Sequence, residues 1–321
     1  MLLVLLALCI FAAVVFHPLH AVAVTLFVRK LRHGASYVEM THWPRATVLV
    51  CVRGVDPSLV RTLERLTQQD YPDYDLRVVV DSTVDPAWRH VRDLAQRCPQ
   101  IKIDVQPLRR RLKSCSLKCS ALVQMVDELD PQTEVIALCD SDLDIGRDWL
   151  RKLVAPMSDP QIGAVTGIRW FRPSTGHIGS ILRKLWVNLS TMSQALGNFP
   201  WGGSLAIRRR AFNEAGLADQ WRLSMVDDTP VRTALEQLGL RVYATPELVV
   251  PSSEECSVPF AFNFVSRQML WLRLYEPTWS LVPLHALDTL GGAAVPVLIA
   301  TIALLVGDYE LASLTGSMFA L

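Results

Sequence analysis

The residues best suited to chemistry are the carboxylates Asp140, Asp142 and Asp144, which follow at once on the apolar run Val135–Cys139. A helical pattern then opens near Asp148. A Val- and Ile-containing run ended by acids and followed by a helix is how a buried strand of a parallel sheet delivers side chains to its carboxyl edge. That edge is where such sheets bind ligands. In an extended chain successive side chains alternate, so Asp140 and Asp142 are expected to point the same way, roughly 7 Å apart at about 3.3 Å per residue. Converging carboxylates repel unless a cation stands beside them. A hard divalent ion that keeps water and accepts phosphate oxygens suits such a pair. The same letters also suit a solvated loop, because Asp forms turns and caps helices.

Further acids and glycines surround this cluster in the sequence. Asp81 and Asp85 end a second apolar strand pattern, DLRVVVDS, and two strand ends carrying acids suggest one site along one edge. The chain has neither GxGxxG after its first strand nor GxxxxGKS, which removes the main support for dinucleotide oxidoreductases and P-loop enzymes. What remains is acids suited to a ribose or base (Asp81, Asp85) and acids suited to a metal on a diphosphate (Asp140, Asp142). That combination fits a nucleotide sugar. Gly202 and Gly203 allow close backbone approach to a ligand, or a plain tight turn. Asp227 and Asp228 precede a helix with Pro230 in its first turn. Asp228 reads either as the helix N-cap or as a general base that deprotonates a hydroxyl.

The elements that must position these residues alternate. TVLVCVR is a strand, a helix follows the Asp56-Pro57 pair and closes before Pro72, a second strand, a helix after Pro86, the strand IKIDVQP and a helix around Lys118 to Leu129 complete the approach to the acidic stretch. This argues for an α/β domain over residues 42–255, its sheet covered by helices. The chain has 321 residues and a formal net charge of +1, which leaves no electrostatic case for a nucleic-acid partner. Its seven cysteines include no CxxC pair and read as reduced thiols.

The two ends differ from the middle. Residues 1–28 are almost wholly apolar and are followed by Arg29, Lys30 and Arg32, so 1–33 reads as a membrane anchor, with the domain that follows on the cytoplasmic side of an integral membrane protein. The sequon at Asn188 is then unused. Residues 256–284 mix Phe, Trp and Leu with arginine, as interfacial amphipathic helices do. Within 285–321 the uncharged run from Thr289 to Gly307 is long enough to span or nearly span a bilayer.

From about Val48 to Trp271 these residues resemble the membrane-bound family-2 glycosyltransferases, and among them the ceramide glucosyltransferase-like group that includes bacterial lipid and hopanoid glycosyltransferases. GVDPSLVRTLERLTQQDYPDYDLRVVV is similar to the opening helix and second strand of that group. Asp85 falls on its first aspartate, Asp140 on its second, and Asp228 on the aspartate of its acidic pair. Lys118 falls on a lysine ahead of the helix leading to the acidic strand. The resemblance implies a GT-A type fold with a mixed, mainly parallel sheet and membrane helices at both ends. It also implies a UDP-sugar donor, Mg2+ or Mn2+, and inversion at the anomeric carbon. Donor contacts would come from Asp81, Asp85, Lys118, Asp140 and Gly203, the metal would sit on Asp140 and Asp142, and Asp227, Arg267, Trp271 and Arg273 would lie toward the acceptor and diphosphate. The expected reaction moves a hexose, glucose or N-acetylglucosamine, to the hydroxyl of a membrane lipid such as ceramide, diacylglycerol or a hopanoid. The chain departs from the family at Leu270, where an arginine is expected, and at SCSLKCSAL around Lys118, where an asparagine-rich segment is expected. The Leu270 departure leaves a catalytically impaired nucleotide-sugar binder as an alternative. A processive, polysaccharide-type transferase is another.

Overall fold

The computed structural model describes residues 21–32, 40, 42–173, 176–277, 279–280 and 292–317. The chain forms two compact units, one of residues 30–275 and the other of the two ends, 1–29 with 276–321.

Unit 30–275 is built on a seven-stranded sheet in the order β3-β2-β1-β4-β6-β5-β7. The strands are β1 (Ala46–Val52), β2 (Tyr74–Val80), β3 (Ile103–Pro107), β4 (Val135–Cys139), β5 (Ile162–Phe171), β6 (Ser204–Arg208) and β7 (Arg241–Ser252). Neighbours pair in parallel except at β6, which runs antiparallel to both β4 and β5. The sheet is therefore mixed and mainly parallel, as expected.

Strand alternation sorts the core into two layers. Val48 and Val50 of β1 and Val135 and Ala137 of β4 face one layer, with Leu59 and Leu63 of α1 (Leu59–Leu66), Val91 of α2 (Ala87–Arg97) and Trp149 and Leu153 of α4 (Trp149–Val154). Leu49, Ile136 and Leu138 face the other, with Leu122 and Met125 of α3 (Leu117–Val126), Phe212 of α6 (Arg209–Glu214) and Trp221 of α7 (Leu217–Arg222). Each buried Leu, Ile or Val removes enough apolar surface from water to contribute about 1.5–3 kcal/mol. The central strands are buried on both faces, which is why they read as unbroken apolar runs rather than alternating ones.

Beyond the sheet, α5 (Ile178–Gly197) packs along α9 (Val258–Tyr275) around Phe171, Val187 and Phe264. The segment expected to be interfacial is thus one continuous helix through Tyr275, with Phe262 and Leu274 71% and 62% exposed. Asn188, the sequon residue, is engaged internally: its Oδ1 accepts from the Phe171 N–H at 2.9 Å and its Nδ2 donates to the Phe171 carbonyl at 3.1 Å. Lys30, one of the cations flanking the N-terminal apolar run, donates to the Ala195 carbonyl at 2.5 Å and to Asn198 Oδ1 at 2.8 Å.

In the terminal unit, α10 (Gly292–Leu305) and α11 (Tyr309–Ser317) are separated by a turn at Gly307, whose φ of 79° suits glycine. Among the described residues no helix is long and apolar enough to cross a membrane. Residues 1–20 of the N-terminal apolar run, and residues 285–291 and 318–321 of the C-terminal segment, lie outside them.

Candidate functional site

β4 ends at Cys139, where its register with Val50 of β1 and Ser204 of β6 runs out. The Asp140 N–H continues the ladder by one bond, donating to the Gly203 carbonyl at 3.0 Å, and Asp142 then lies in a turn. The alternation argument that set the two acids on one side of an extended strand therefore does not apply past residue 140. The charge of Asp140 still reaches Asp142, where it is the largest influence after burial.

Three further segments meet at this edge. Ser116 caps α3 by accepting from the Cys119 N–H at 3.1 Å, which sets Lys118 in its first turn. Lys118 Nζ donates to Asp140 Oδ1 at 2.7 Å and to the Gly202 carbonyl at 3.3 Å. It also forms an ion pair with Asp227, 3.0 Å from its Oδ2. Asp228 is the N-cap of α8 (Thr229–Gln237). Its Oδ1 accepts from the Thr229 N–H at 2.7 Å and its Oδ2 from the Gly202 N–H at 3.0 Å.

Glycine is required at both positions of the Gly202-Gly203 pair by close approach. A Cβ on Gly202 would come within 1.9 Å of Asp227 Oδ2, and one on Gly203 within 2.7 Å of Asp140 Oδ2 and 2.4 Å of the Trp201 ring. The loop ahead of Asp227 is tied down as well, with Trp221 Nε1 donating to the Asp227 carbonyl at 2.8 Å and the Met225 N–H donating to the Tyr275 hydroxyl at the end of α9 at 3.0 Å.

The electrostatics separate the acids. Burial would raise the Asp140 carboxyl, but the charge and hydrogen bond of Lys118 outweigh it and hold Asp140 below the usual carboxylate range, with Arg169 assisting. Burial, and after it Asp140, push Asp142 up to about 6, against the pull of Arg169. Burial likewise pushes Asp227 up to about 6 against Lys118, with Asp228 and Asp140 adding to the rise. Lys118 loses by burial and gains more from Asp140 and Asp227, so its ammonium is held well above the ordinary lysine value. A cation does stand between converging carboxylates, and it is a lysine joining Asp140 to Asp227.

Asp142 forms no ion pair with a lysine or arginine among the described residues, and Arg169 is the positive charge that acts on it. Asp142 and Asp140 fit a divalent ion of the oxygen-seeking kind. No group of three His, Cys, Asp or Glu side chains among the described residues could hold a metal. The remaining ligands would have to be water and ligand oxygens.

The other expected site residues divide. Asp85 is turned inward on its own loop, its carboxylate accepting from the Gly54 N–H at 3.0 and 3.1 Å and from the Ala87 N–H at 2.8 Å. Asp81 pairs with Arg53 at 3.4 Å. Both stand at the end of β2, with β1 between them and the β4 acids. On α9, Arg267 lies 4.9 Å above the Trp271 ring, Arg273 is exposed, and Leu270 is 53% exposed. Among the described residues none of these four makes an ion pair or hydrogen bond with the acidic cluster. Sequence reasoning missed Arg169 and Trp201. Arg169 sits at the end of β5, a strand whose pattern carries no acid, and its partners come from segments distant in the chain.

The model of glycosyl transferase family 21 matches residues 5–321. The chain belongs to glycosyl transferase family 21. A beta-monoglucosyldiacylglycerol synthase from Synechocystis is 23% identical over 125 residues, 38% of this chain and only 25% of that protein. A mannosyltransferase from Pyrobaculum calidifontis, solved with GDP-Man and Mn2+, matches with a TM-score of 0.61 at 20% identity, over 98% of this chain and 91% of the other. GalNAc-T7, solved with UDP, GalNAc and Mn2+, matches with a TM-score of 0.50 at 14% identity, over 70% of this chain and 48% of the other. These structural likenesses establish the fold, and the family makes the chain a glycosyl transferase.

Proposed function

We propose that this glycosyl transferase moves a hexose, glucose or N-acetylglucosamine, from a UDP-sugar to the hydroxyl of a membrane lipid, with inversion, at the cytoplasmic face of a bilayer in which its two ends are embedded. The observation that carries the reading is the meeting of Asp140, Asp142, Asp227 and Asp228 at one sheet edge, around two glycines that admit no side chain. The relatives support it from two directions. The Synechocystis protein is named for a glucosylated diacylglycerol, and the two solved structures hold nucleotide-sugar components with Mn2+.

In this mechanism Asp228 takes the proton of the acceptor hydroxyl as its oxygen bonds to the anomeric carbon and the bond to the diphosphate oxygen breaks on the opposite face. The Gly202 N–H occupies one lone pair of Asp228 Oδ2 and leaves the other for that proton. Mg2+ or Mn2+ on Asp142 and Asp140 would supply positive charge against the departing diphosphate. Lys118 keeps Asp140 ionised at the pH where this is needed. Ceramide, diacylglycerol or a hopanoid would present its hydroxyl at the surface carrying the exposed side chains of α9.

A screen of UDP-sugars, with GDP-mannose included, for Mn2+-dependent nucleotide release by membranes holding the protein tests this. Release that needs both an added lipid and the metal supports the reading. Binding of a nucleotide sugar with no release from any donor would favour the impaired binder suggested by Leu270.

A further inference from the structure

Around the end of β5 two guanidiniums stand close together. Arg183 of α5, 2% exposed, forms an ion pair with Glu254 and lies 4.5 Å from each of the Phe171 and Phe264 rings. Arg183 is the largest influence on Arg169 after burial, and its like charge disfavours the charge of Arg169. Yet Arg169 forms no ion pair with any carboxylate among the described residues, and its Nε is buried without a hydrogen-bond partner. Of the two guanidiniums only Arg183 holds an ion-paired carboxylate, and Asp142, Asp140 and Glu254 act on Arg169 without pairing with it.

The Arg169 guanidinium is held by flat faces, 5.3 Å from the Trp201 ring and 5.4 Å from Phe264. Its main chain is fixed by Gln194 Oε1, which accepts from the Arg169 N–H at 3.1 Å, and by Thr191 Oγ1, which donates to its carbonyl at 2.9 Å. Trp201 is the residue against which Gly203 must stay bare, so this clamp adjoins the loop lining the acidic edge. The charge of Arg169 reaches both Asp140 and Asp142. Arg169 is half-buried, and a guanidinium with a buried donor left unused is costly unless an anion meets it, while its planar fork matches phosphate oxygens.

We propose that Arg169 is a diphosphate-binding residue of the donor site, held for that purpose between Trp201 and Phe264. The assignment rests on the nucleotide-sugar reading above and adds a contact that the acids do not supply. A diphosphate on this edge would draw on the charge of Arg169 in addition to that of any cation held by Asp140 and Asp142.

The test measures binding of UDP, GDP, inorganic pyrophosphate and uridine, each with Mn2+, to the full-length protein in detergent. Wild type is compared with Arg169→Met and Arg169→Gln, both checked by thermal melting. Removing a charge-assisted contact is expected to weaken the preferred nucleoside diphosphate and pyrophosphate about ten- to a hundredfold while leaving uridine within about twofold. Diphosphate affinity equal to wild type in either folded variant overturns the assignment and leaves the donor-site reading standing. Loss of uridine binding in equal proportion also overturns it, because that pattern marks a structural arginine. Arg169→Lys covers the case in which neither variant folds: an unchanged diphosphate affinity there counts against the fork. A wild type that binds no diphosphate with Mn2+ overturns this inference and the donor-site reading together.

Discussion

Asp228 uses its two carboxylate oxygens differently, and a single substitution can tell them apart. Oδ1 caps α8, which Asn could do equally well, but Oδ2 also accepts from the Gly202 N–H, where an amide NH2 would oppose a donor. Asp228→Asn should therefore cost about 1–2 kcal/mol in urea unfolding, more than a simple cap exchange. Turnover should fall by roughly 100-fold or more with nucleotide binding retained, the scale of a lost general base. Near wild-type turnover would transfer the role to Asp227. At Asp142 the prediction concerns pH. Its folded pKa of about 6 lies above the value near 3.9 of an unfolded Asp, so the native state binds more protons between the two. Stability contributed here is full at low pH, declines as pH rises from about 4 to about 6, and is level above. In EDTA, the stability of Asp142→Asn relative to wild type should accordingly rise across that window by about 1–3 kcal/mol. A difference independent of pH would mean that Asp142 is solvated.

At the scale of elements, the strand ends were legible because composition changes abruptly there. An apolar run buried on both faces must stop where the sheet stops, and Val135–Cys139 followed by Asp140 marks that point. The same logic found β1 and β2. The antiparallel insertion of β6 between β4 and β5 was not legible, because neighbour order in a sheet is set by which faces find each other across long sequence separations. The role of Lys118 as the bridge between Asp140 and Asp227 was hidden for the same reason, although the lysine itself could be singled out. Asp81 and Asp85 do stand at a strand end, and the Asp85 carboxylate accepts from the Gly54 and Ala87 N–H groups. The loop joining α5 to β6 gives a sharp test. Gly203→Ala forces a methyl against Asp140 and the Trp201 ring, so it should destabilise by about 1–3 kcal/mol and weaken UDP binding with Mn2+. An Ala variant with unchanged melting and unchanged binding would show that the loop shifts freely.

For the whole molecule, the apolar ends and the exposed faces of α5 and α9 bear on where the acceptor comes from. Ile178, Ile181, Leu182 and Leu185 are exposed at helical spacing on α5, and Phe260, Phe262, Leu270 and Leu274 are exposed on α9. Apolar surface of this extent on a catalytic unit is suited to a bilayer. A reporter fused at Gly34 should be active only when placed in the cytoplasm, and activity only outside it would overturn the proposed orientation. The account as a whole is tested most directly by following the sugar. Membranes carrying the protein are supplied with radiolabelled UDP-glucose or UDP-N-acetylglucosamine and Mn2+, and the label is partitioned between water and organic solvent. The account predicts that label enters the lipid fraction with wild type, fails to do so in EDTA, and falls by roughly 100-fold or more with Asp228→Asn. Label that stays in the aqueous phase for wild type with every donor and lipid supplied, or that enters lipid equally well with Asp228→Asn, would contradict it.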